Sequence, residues 1–446
     1  MEIKQILQQK TGQEVKAKGW VRFNRVSKNI GFIELFDGSS LNGIQLIYKA
    51  ENKDIYDILA NVTLFSAIQI EGKTAKGKDG TLEVEVLKII KINAAQEEYP
   101  LGKKDHGLEF LRKQAHLRPR TKLFHAIMKI RSDSALAIHE YFTLNDYHYI
   151  HAPIITKNDA EGAGETFEVK TQDGKPFFSH QGSLSVSGQL HAEAYAQAFR
   201  KVYTFAPTFR AENSNTTRHA SEFWMVEPEV TFCDYNGMMD IAEEMIKFIT
   251  KKILEKDSEE LDFLSTFNKM DLEKVLTNIV SIAYKRISYE KAIEILKAAK
   301  ANGVKFEIDD LHFGMDLASE HEKYLSSIYA KGPIFVFDYP KEIKSFYMFQ
   351  NDDGKTSRGF DLLVPSIGEL IGGSQREEDY EKLLKTIKEK GLKVEGLEWY
   401  IDFRKNGYAP SSGFGLGFER LVMLLTGTEN IRDVLPFPRT PGELEF

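Results

Sequence analysis

Hydrophobic and polar residues alternate with period two over Val15–Phe23, the pattern of a half-buried strand. Gly31–Phe36 follows, then the turn Asp37-Gly38-Ser39-Ser40, then Gly43–Tyr48. Alternation returns over Leu82–Val86, behind Lys78-Asp79-Gly80. Short strands separated by turn residues predict a small barrel. Five strands with a helix over Asp54–Ala60 fit an OB-fold, an architecture that binds oligonucleotides on one face.

Past residue 95 the period changes. Gln96–Lys104 reads as a polar linker and His106–Arg120 as a basic helical stretch ending near Pro119. Leu123–Phe142 carries apolar residues at helical spacing, and Tyr147–Thr156 reads as a strand containing Pro153. Further helical material is predicted over 238–256, 269–300 and 316–329, with a charged helix over Tyr380–Lys390. Phe335–Tyr339 and Gly359–Val364 read as strands. Paired strands without regular βαβ units predict an α+β fold, an antiparallel sheet flanked by helices. The expected organisation is a barrel over 1–95, a linker over 96–120 and a larger domain over 121–446. Neither a Walker A sequence nor a Rossmann fingerprint occurs, so a nucleotide site must be built in another way.

A length of 446 residues suits two or three such domains. The single cysteine, Cys233, excludes a disulfide framework and a Cys-built zinc site. The start MEIKQILQQK lacks the apolar core of a signal peptide, and no apolar run is long enough to cross a membrane. A cytoplasmic location is therefore expected. The net charge of −7 argues against a basic coat for nucleic acid. Residues 1–92, however, hold 14 Lys and Arg against 11 Asp and Glu, so the barrel is mildly basic on an acidic body. That is either a local footprint for an anionic partner or ordinary surface variation.

Candidate chemistry concentrates in Phe209-Arg210-Ala211-Glu212, Arg218-His219 and Glu222–Glu229, within one predicted hairpin. Two fixed cations beside an aromatic platform suit a bent nucleoside triphosphate, because guanidinium forks grip phosphate oxygens and the ring stacks on the base. Far downstream, Gly413-Phe414-Gly415-Leu416-Gly417-Phe418-Glu419-Arg420 is a Gly-rich run entering an apolar helix with one more arginine. Together these segments resemble motifs 2 and 3 of the class II aminoacyl-tRNA synthetases. The surrounding residues narrow the likeness to the aspartyl/asparaginyl/lysyl subgroup, and within it to the asparaginyl members, essentially from end to end.

The resemblance implies ATP and L-asparagine as substrates, tRNA(Asn) as acceptor and Mg²⁺ as the metal. It implies that Arg210 holds the α-phosphate and the substrate carboxylate. Arg420 would reach the γ-phosphate and cap adenine, with Phe223 on its other side and Glu212 beside it. Arg218 and His219 would fold over the β- and γ-phosphates. Asp361 and Glu369, which flank Leu-Leu-Val-Pro-Ser-Ile-Gly, would hold the metal; taken alone they read as turn acids. Glu161 and Gln189 are implied for the amino-acid backbone and Arg376 for its side chain. The helix over Leu123–Phe142 with the following strand would be motif 1, a homodimer interface, where a helix packed within one subunit is the alternative. In the barrel, Phe32 matches the aromatic that stacks an anticodon base and Gln45 the residue that reads its edge. Arg22, Arg25 and Lys28 are placed to meet phosphates.

Two departures bear on the substrate. Aspartyl enzymes carry a lysine three residues after the glutamine that matches Gln189; this chain has Ala192. Without that cation, Glu227 is expected to be less compensated, to accept from a side-chain amide and to repel a carboxylate. The subgroup often shows Pro-His-x-Gly before motif 3, where this chain has Ser411 in the histidine's place. An aspartyl enzyme, an ammonia-dependent asparagine synthetase and a non-catalytic RNA-binding paralogue remain alternatives at this point.

Overall fold

The computed structural model describes residues 1–96, 99–101, 106–157, 166–175, 177–214 and 216–446. Contacts divide the chain into two compact units, Met1–Ala126 and Ile127–Phe446. In the first, β1 (Glu14–Ser27), β2 (Ile30–Phe36), β3 (Ile44–Lys49), β4 (Ala67–Lys76) and β5 (Leu82–Asn93) close a barrel in the order β1-β2-β3-β5-β4. Alternation explains its inside. Val15, Ala17, Val21, Ile33 and Leu35 are buried, and helix α1 (Lys53–Ala60) adds Ile55 and Leu59. In β1 the alternation breaks where the β1–β2 register shifts between Val21 and Phe23. That bulge gives Arg22 an orientation the strand period does not predict. Its guanidinium lies 3.8 Å from the Phe36 ring centre and 3.0 Å from Glu34.

In the second unit, eight strands form one sheet. They are β6 (His148–Tyr149), β7 (Lys201–Phe209), β8 (Glu222–Thr231), β9 (Lys285–Ser288), β10 (Ile334–Pro340), β11 (Thr356–Val364), β12 (Gly368–Gln375) and β13 (Ser411–Gly417). Their order is β9-β10-β11-β12-β13-β8-β7-β6. The central pairings are antiparallel; the two outermost, β9–β10 and β6–β7, are parallel. The long helix α2 (Lys122–Leu144), α3 (Gln189–Phe199), α4 (Tyr235–Lys256) and α5 (Phe418–Thr426) belong to its helical layers.

The expected strand Tyr147–Thr156 is two pieces. His148–Tyr149 joins the large sheet and Ile155–Thr156 a small three-stranded one. Pro153 explains the break, since it donates no ladder bond and constrains its predecessor. The basic stretch 106–120 is helical only over Leu108–Arg112 and in a turn at Arg118–Arg120. Within 269–300, two helices (Leu272–Ser281 and Tyr289–Ala301) flank the short strand β9.

One buried ion pair ties three of these elements together. Glu419, 1% exposed on α5, accepts from Arg131 Nη2 on α2 at 2.7 Å and from the Trp224 N–H on β8 at 2.9 Å. Arg131 also donates to the Val434 carbonyl at 3.1 Å and lies 4.6 Å over the Phe418 ring. Breaking a buried pair from one side leaves a charge unmet. Glu419→Ala is therefore expected to cost about 3–5 kcal/mol in urea unfolding. The double variant Arg131→Met/Glu419→Leu should cost clearly less than the two single changes summed; strict additivity would show that the pair does not couple these elements.

Candidate functional site

The sheet floor opens into a cleft where side chains are missing. Asp361 on β11 pairs with Gly372 on β12, which pairs with Gly415 on β13. One row over, Ser374 pairs with Gly413, which pairs with Glu229 on β8. A Cβ on Gly413 would lie 2.2 Å from Glu229 Oε1, so only glycine lets that carboxylate cross the strand. The cleft encloses about 290 Å³ and is lined by residues from the β7–β8 hairpin, β11, β12 and β13.

At one end lie the arginines. The Arg210 N–H bonds the Ser221 carbonyl at 3.0 Å, closing the hairpin loop, and its guanidinium carbon lies 5.3 Å from the Phe223 ring centre. Glu212, Arg218 and His219 line the same end. Arg218 is tethered rather than free. Its Nη1 donates to Glu322 at 3.1 Å and to the Ile367 carbonyl at 2.6 Å, and its Nη2 meets Ser319. Gly368 (φ +88°) makes the turn possible, since a Cβ there would lie 2.4 Å from Glu322 and 2.6 Å from Arg218. His219 Nδ1 sits 3.2 Å from Ser214 Oγ and 2.5 Å from Thr216 Oγ1. Burial, then the neighbouring Arg420, pushes its pKa below the usual histidine value, which favours neutral imidazole. Arg420 Nη1 donates to Glu369 twice, to the carbonyl at 2.9 Å and to Oε2 at 3.1 Å.

Asp361 and Glu369 converge on Gly372. A Cβ there would lie 3.4 Å from Asp361 Oδ1 and 3.1 Å from Glu369 Oε1. Lys344 faces this pair, with Nζ 3.0 and 2.7 Å from the two Asp361 oxygens and 3.8 Å from the Tyr339 ring centre. Burial raises the Glu369 pKa, but Arg420, Lys344 and Arg210 together hold it below the usual carboxylate range. Burial pushes Asp361 up against the opposing pull of Lys344.

The other end holds Glu227, Gln189 and Arg376. Glu227 is 3% exposed. Its Oε1 accepts from Ser187 Oγ; its Oε2 accepts from the Gly188 N–H at 2.9 Å and Thr204 Oγ1 at 2.9 Å. Among the described residues these three donors are all neutral. Gln189 opens α3, and among the described residues its buried Nε2 has no hydrogen-bond partner. Arg376 is 2% exposed, and its fork is engaged by Glu229, with Nε 3.2 Å from Oε2 and Nη2 on Oε1, while Nη1 donates to Ser374 at 2.7 Å. Glu161 lies outside the described residues. Ser411 is fully buried and does not line the cleft.

The barrel carries its own candidate face. Arg25, Phe32 and Ile47 form one cross-strand row; Phe23, Glu34, Gln45 and Glu83 form the next. Phe32 is half-buried, Arg25, Lys28 and Gln45 are exposed, and Gln45 Nε2 donates to Glu83. Arg22, grouped with them from its sequence position, is instead turned onto Glu34 and Phe36.

The profile of the class II tRNA synthetases (D, K and N) matches residues 107–441. An asparagine–tRNA ligase of Ureaplasma parvum serovar 3 is 51% identical over 437 residues, covering 98% of this chain and 96% of the relative. An asparagine–tRNA ligase of Mycoplasma mycoides subsp. mycoides SC is 50% identical over 455 aligned positions, with 100% of both chains covered. The chain belongs to the asparaginyl-tRNA synthetase family. Among solved structures, the asparaginyl-tRNA synthetase of Pyrococcus horikoshii, complexed with asparaginyl-adenylate, superposes with a TM-score of 0.88 at 32% identity, covering 97% of this chain and 96% of that one.

A synthetase of this family implies Mg²⁺ with its ATP, and the donor set can be tested for fit. Among the described residues no group of three or more His, Cys, Asp and Glu side chains is arranged to hold a metal. Two carboxylates do converge, which fits an ion that takes one or two protein ligands and completes its shell with phosphate oxygens and water. Sequence reasoning missed Lys344 and Glu322. Both sit in polar surface-like stretches, and only the fold brings them to the acids and to Arg218.

Proposed function

We propose that this chain activates L-asparagine with ATP, giving asparaginyl-adenylate and pyrophosphate, and then transfers the asparaginyl group to the terminal ribose hydroxyl of tRNA(Asn), releasing AMP. The state of Glu227 carries this reading. A carboxylate offers about four acceptor sites. Three are filled by neutral donors, two on Oε2 and one on Oε1, which leaves one on Oε1 of a residue that lines the cleft. A side-chain amide of asparagine has the N–H to fill it. An aspartate carboxylate has none and meets a like charge in a site poor in water.

In the first step an oxygen of the amino-acid carboxylate bonds to the α-phosphorus as the bond to pyrophosphate breaks. Such a step needs alignment of two anions and stabilisation of charge at phosphorus more than acid–base chemistry. Arg210 would grip both reacting anions. Phe223 would stack on adenine with Glu212 beside it. Arg420, exchanging Glu369 for phosphate, would take the γ-phosphate, and Arg218 with His219 would close over the chain. Asp361 and Glu369 would hold Mg²⁺, which would offset the charge of the phosphates. Glu161 and Gln189 would hold the amino-acid backbone and Arg376 its side chain.

The same proposal assigns residues 1–95 to anticodon binding through Phe32, Gln45 and Arg25, joined by 96–120 to the catalytic domain 121–446. It makes the enzyme a cytoplasmic homodimer through α2 and β6; Leu136 at 60% and Tyr149 at 43% exposure are apolar surface there. No helix of the described residues is long and apolar enough to cross a membrane.

ATP–pyrophosphate exchange should proceed with asparagine and not with aspartate, and Arg210→Ala should lower its kcat about 10²–10³-fold. Exchange with aspartate instead would overturn the reading of Glu227. Phe32→Ala should weaken tRNA(Asn) binding by about 1–3 kcal/mol while leaving exchange untouched; unchanged tRNA affinity removes Phe32 from the interface. In sedimentation velocity the protein should run as a dimer that Leu136→Lys weakens, and a monomeric wild type would end the motif 1 assignment.

A further inference from the structure

Behind the amino-acid end of the cleft lies a second buried charge pair that the chemistry above does not use. Glu193 is 1% exposed and Arg404 8% exposed. Arg404 Nη2 donates to Glu193 Oε1 at 2.7 Å. The Tyr400 hydroxyl donates to Oε2 at 2.8 Å and the Tyr408 hydroxyl to Oε1 at 2.5 Å. The Arg404 guanidinium also packs on both rings, 4.1 Å from Tyr400 and 4.2 Å from Tyr408. Glu193 sits on α3 one helical turn after Gln189, so the two share a face, one at the cleft and one behind it.

The outward bonds of this cluster lead to the backbone around Arg376. Tyr408 Oη lies 2.8 Å from Ser411 Oγ. The Ser411 carbonyl accepts the Arg376 N–H at 2.8 Å. On the other side, Arg404 Nε donates to the carbonyl of Glu377 at 3.0 Å, and the Glu377 N–H bonds the Tyr347 carbonyl at 2.8 Å. The peptide on the N-terminal side of Arg376 and the carbonyl of the next residue, Glu377, are thus tied to one network centred on Glu193. A buried ion pair is a poor source of net stability, because desolvation offsets the attraction. A fully satisfied buried network does fix geometry, and a binding group must be held to about half an ångström.

We propose that Glu193, with Arg404, Tyr408 and Ser411, is a positioning unit that holds Arg376 against Glu229, and that it sets affinity and selectivity for the amino-acid side chain while leaving the nucleotide end alone. This rests on the reading of the chain as an asparagine-activating enzyme. It also accounts for Ser411. The small hydroxyl closes the link from Tyr408 to the Arg376 backbone, in a fully buried position that an imidazole would overfill.

The test uses the full-length protein in ATP–pyrophosphate exchange, with KM for asparagine and for ATP measured separately and aspartate as competitor. Tyr408→Phe removes one hydroxyl and keeps the ring, so it is the variant most able to fold. The expected result is a rise of about five- to tenfold in KM for asparagine and a lower asparagine-to-aspartate preference, from the loss of buried hydrogen bonds. KM for ATP should stay within about twofold, since the cluster touches no residue of the phosphate end. Ser411→Ala should shift the same parameter in the same direction. The proposal is overturned if both variants keep the wild-type KM for asparagine. It is equally overturned if KM for both substrates worsens together with a fall in Tm, the mark of a merely structural role. A wild type that exchanges with no amino acid would bring down the functional reading itself, and this proposal with it.

Discussion

Moving a guanidinium or a carboxylate out of water costs several kcal/mol per ion, and the cost is recovered only in close, well-bonded geometry. Arg376 and Glu229 sit in the sheet floor at 2% and 0% exposure, reaching each other across an intervening strand. That contact exists because Gly413 has no side chain at the crossing point. The surrounding architecture follows from it. The β8, β12 and β13 strands must stay in register, and the β12 end must be held so that the fork meets both oxygens. The Gly-rich character of β13 is therefore a steric requirement of a buried ion pair as much as of a ligand.

The two ends of the cleft handle charge differently. At the arginine end three acids are matched with cations: Glu369 with Arg420, Asp361 with Lys344, Glu322 with Arg218. Such a site would suit a polyanion, because its cations are already collected and its acids restrain them. Exchange of one anion for another needs no new cation to be buried. At the other end Glu227 is held by a hydroxyl, a backbone amide and a second hydroxyl, so its charge is oriented without being cancelled. Orientation with an unspent charge suits discrimination between an amide and a carboxylate of nearly equal size.

What is legible in the chain by itself is what is local. The β7–β8 hairpin keeps Arg210, Phe223, Glu227 and Glu229 within one contiguous run, and the β11–β12 hairpin does the same for Asp361 and Glu369, so spacing alone brings them together. The barrel strands announce themselves by alternation. Arg22 escapes that logic because a bulge is a one-residue irregularity that no period encodes. Lys344, Glu322 and Arg404 are invisible for a different reason. Each lies far in sequence from its partner, and a lone charged residue in a polar segment looks like surface until the fold supplies an opposite charge in a buried place. The broken strand at Pro153 shows the converse. The residue that ends pairing is plain in the sequence, but which sheet each half then joins depends on neighbours that only the fold supplies.

Glu369 shows how these constraints meet in one residue. It lies one residue past Gly368, whose left-handed backbone lets Glu322 and Arg218 approach, and its own N–H is fixed by Glu322 at 3.1 Å. Its carboxylate faces Arg420 from motif 3 on one side and the Asp361–Lys344 pair on the other. Burial pushes its pKa up, yet Arg420, Lys344 and Arg210 together hold it below the usual carboxylate range. The direction of that shift favours a hard, ionised oxygen in the cleft. The same cations that hold it ionised are those a triphosphate would recruit. A phosphate that took Arg420 would leave Glu369, with Asp361, to hold a divalent ion, and metal and nucleotide would then be expected to bind together.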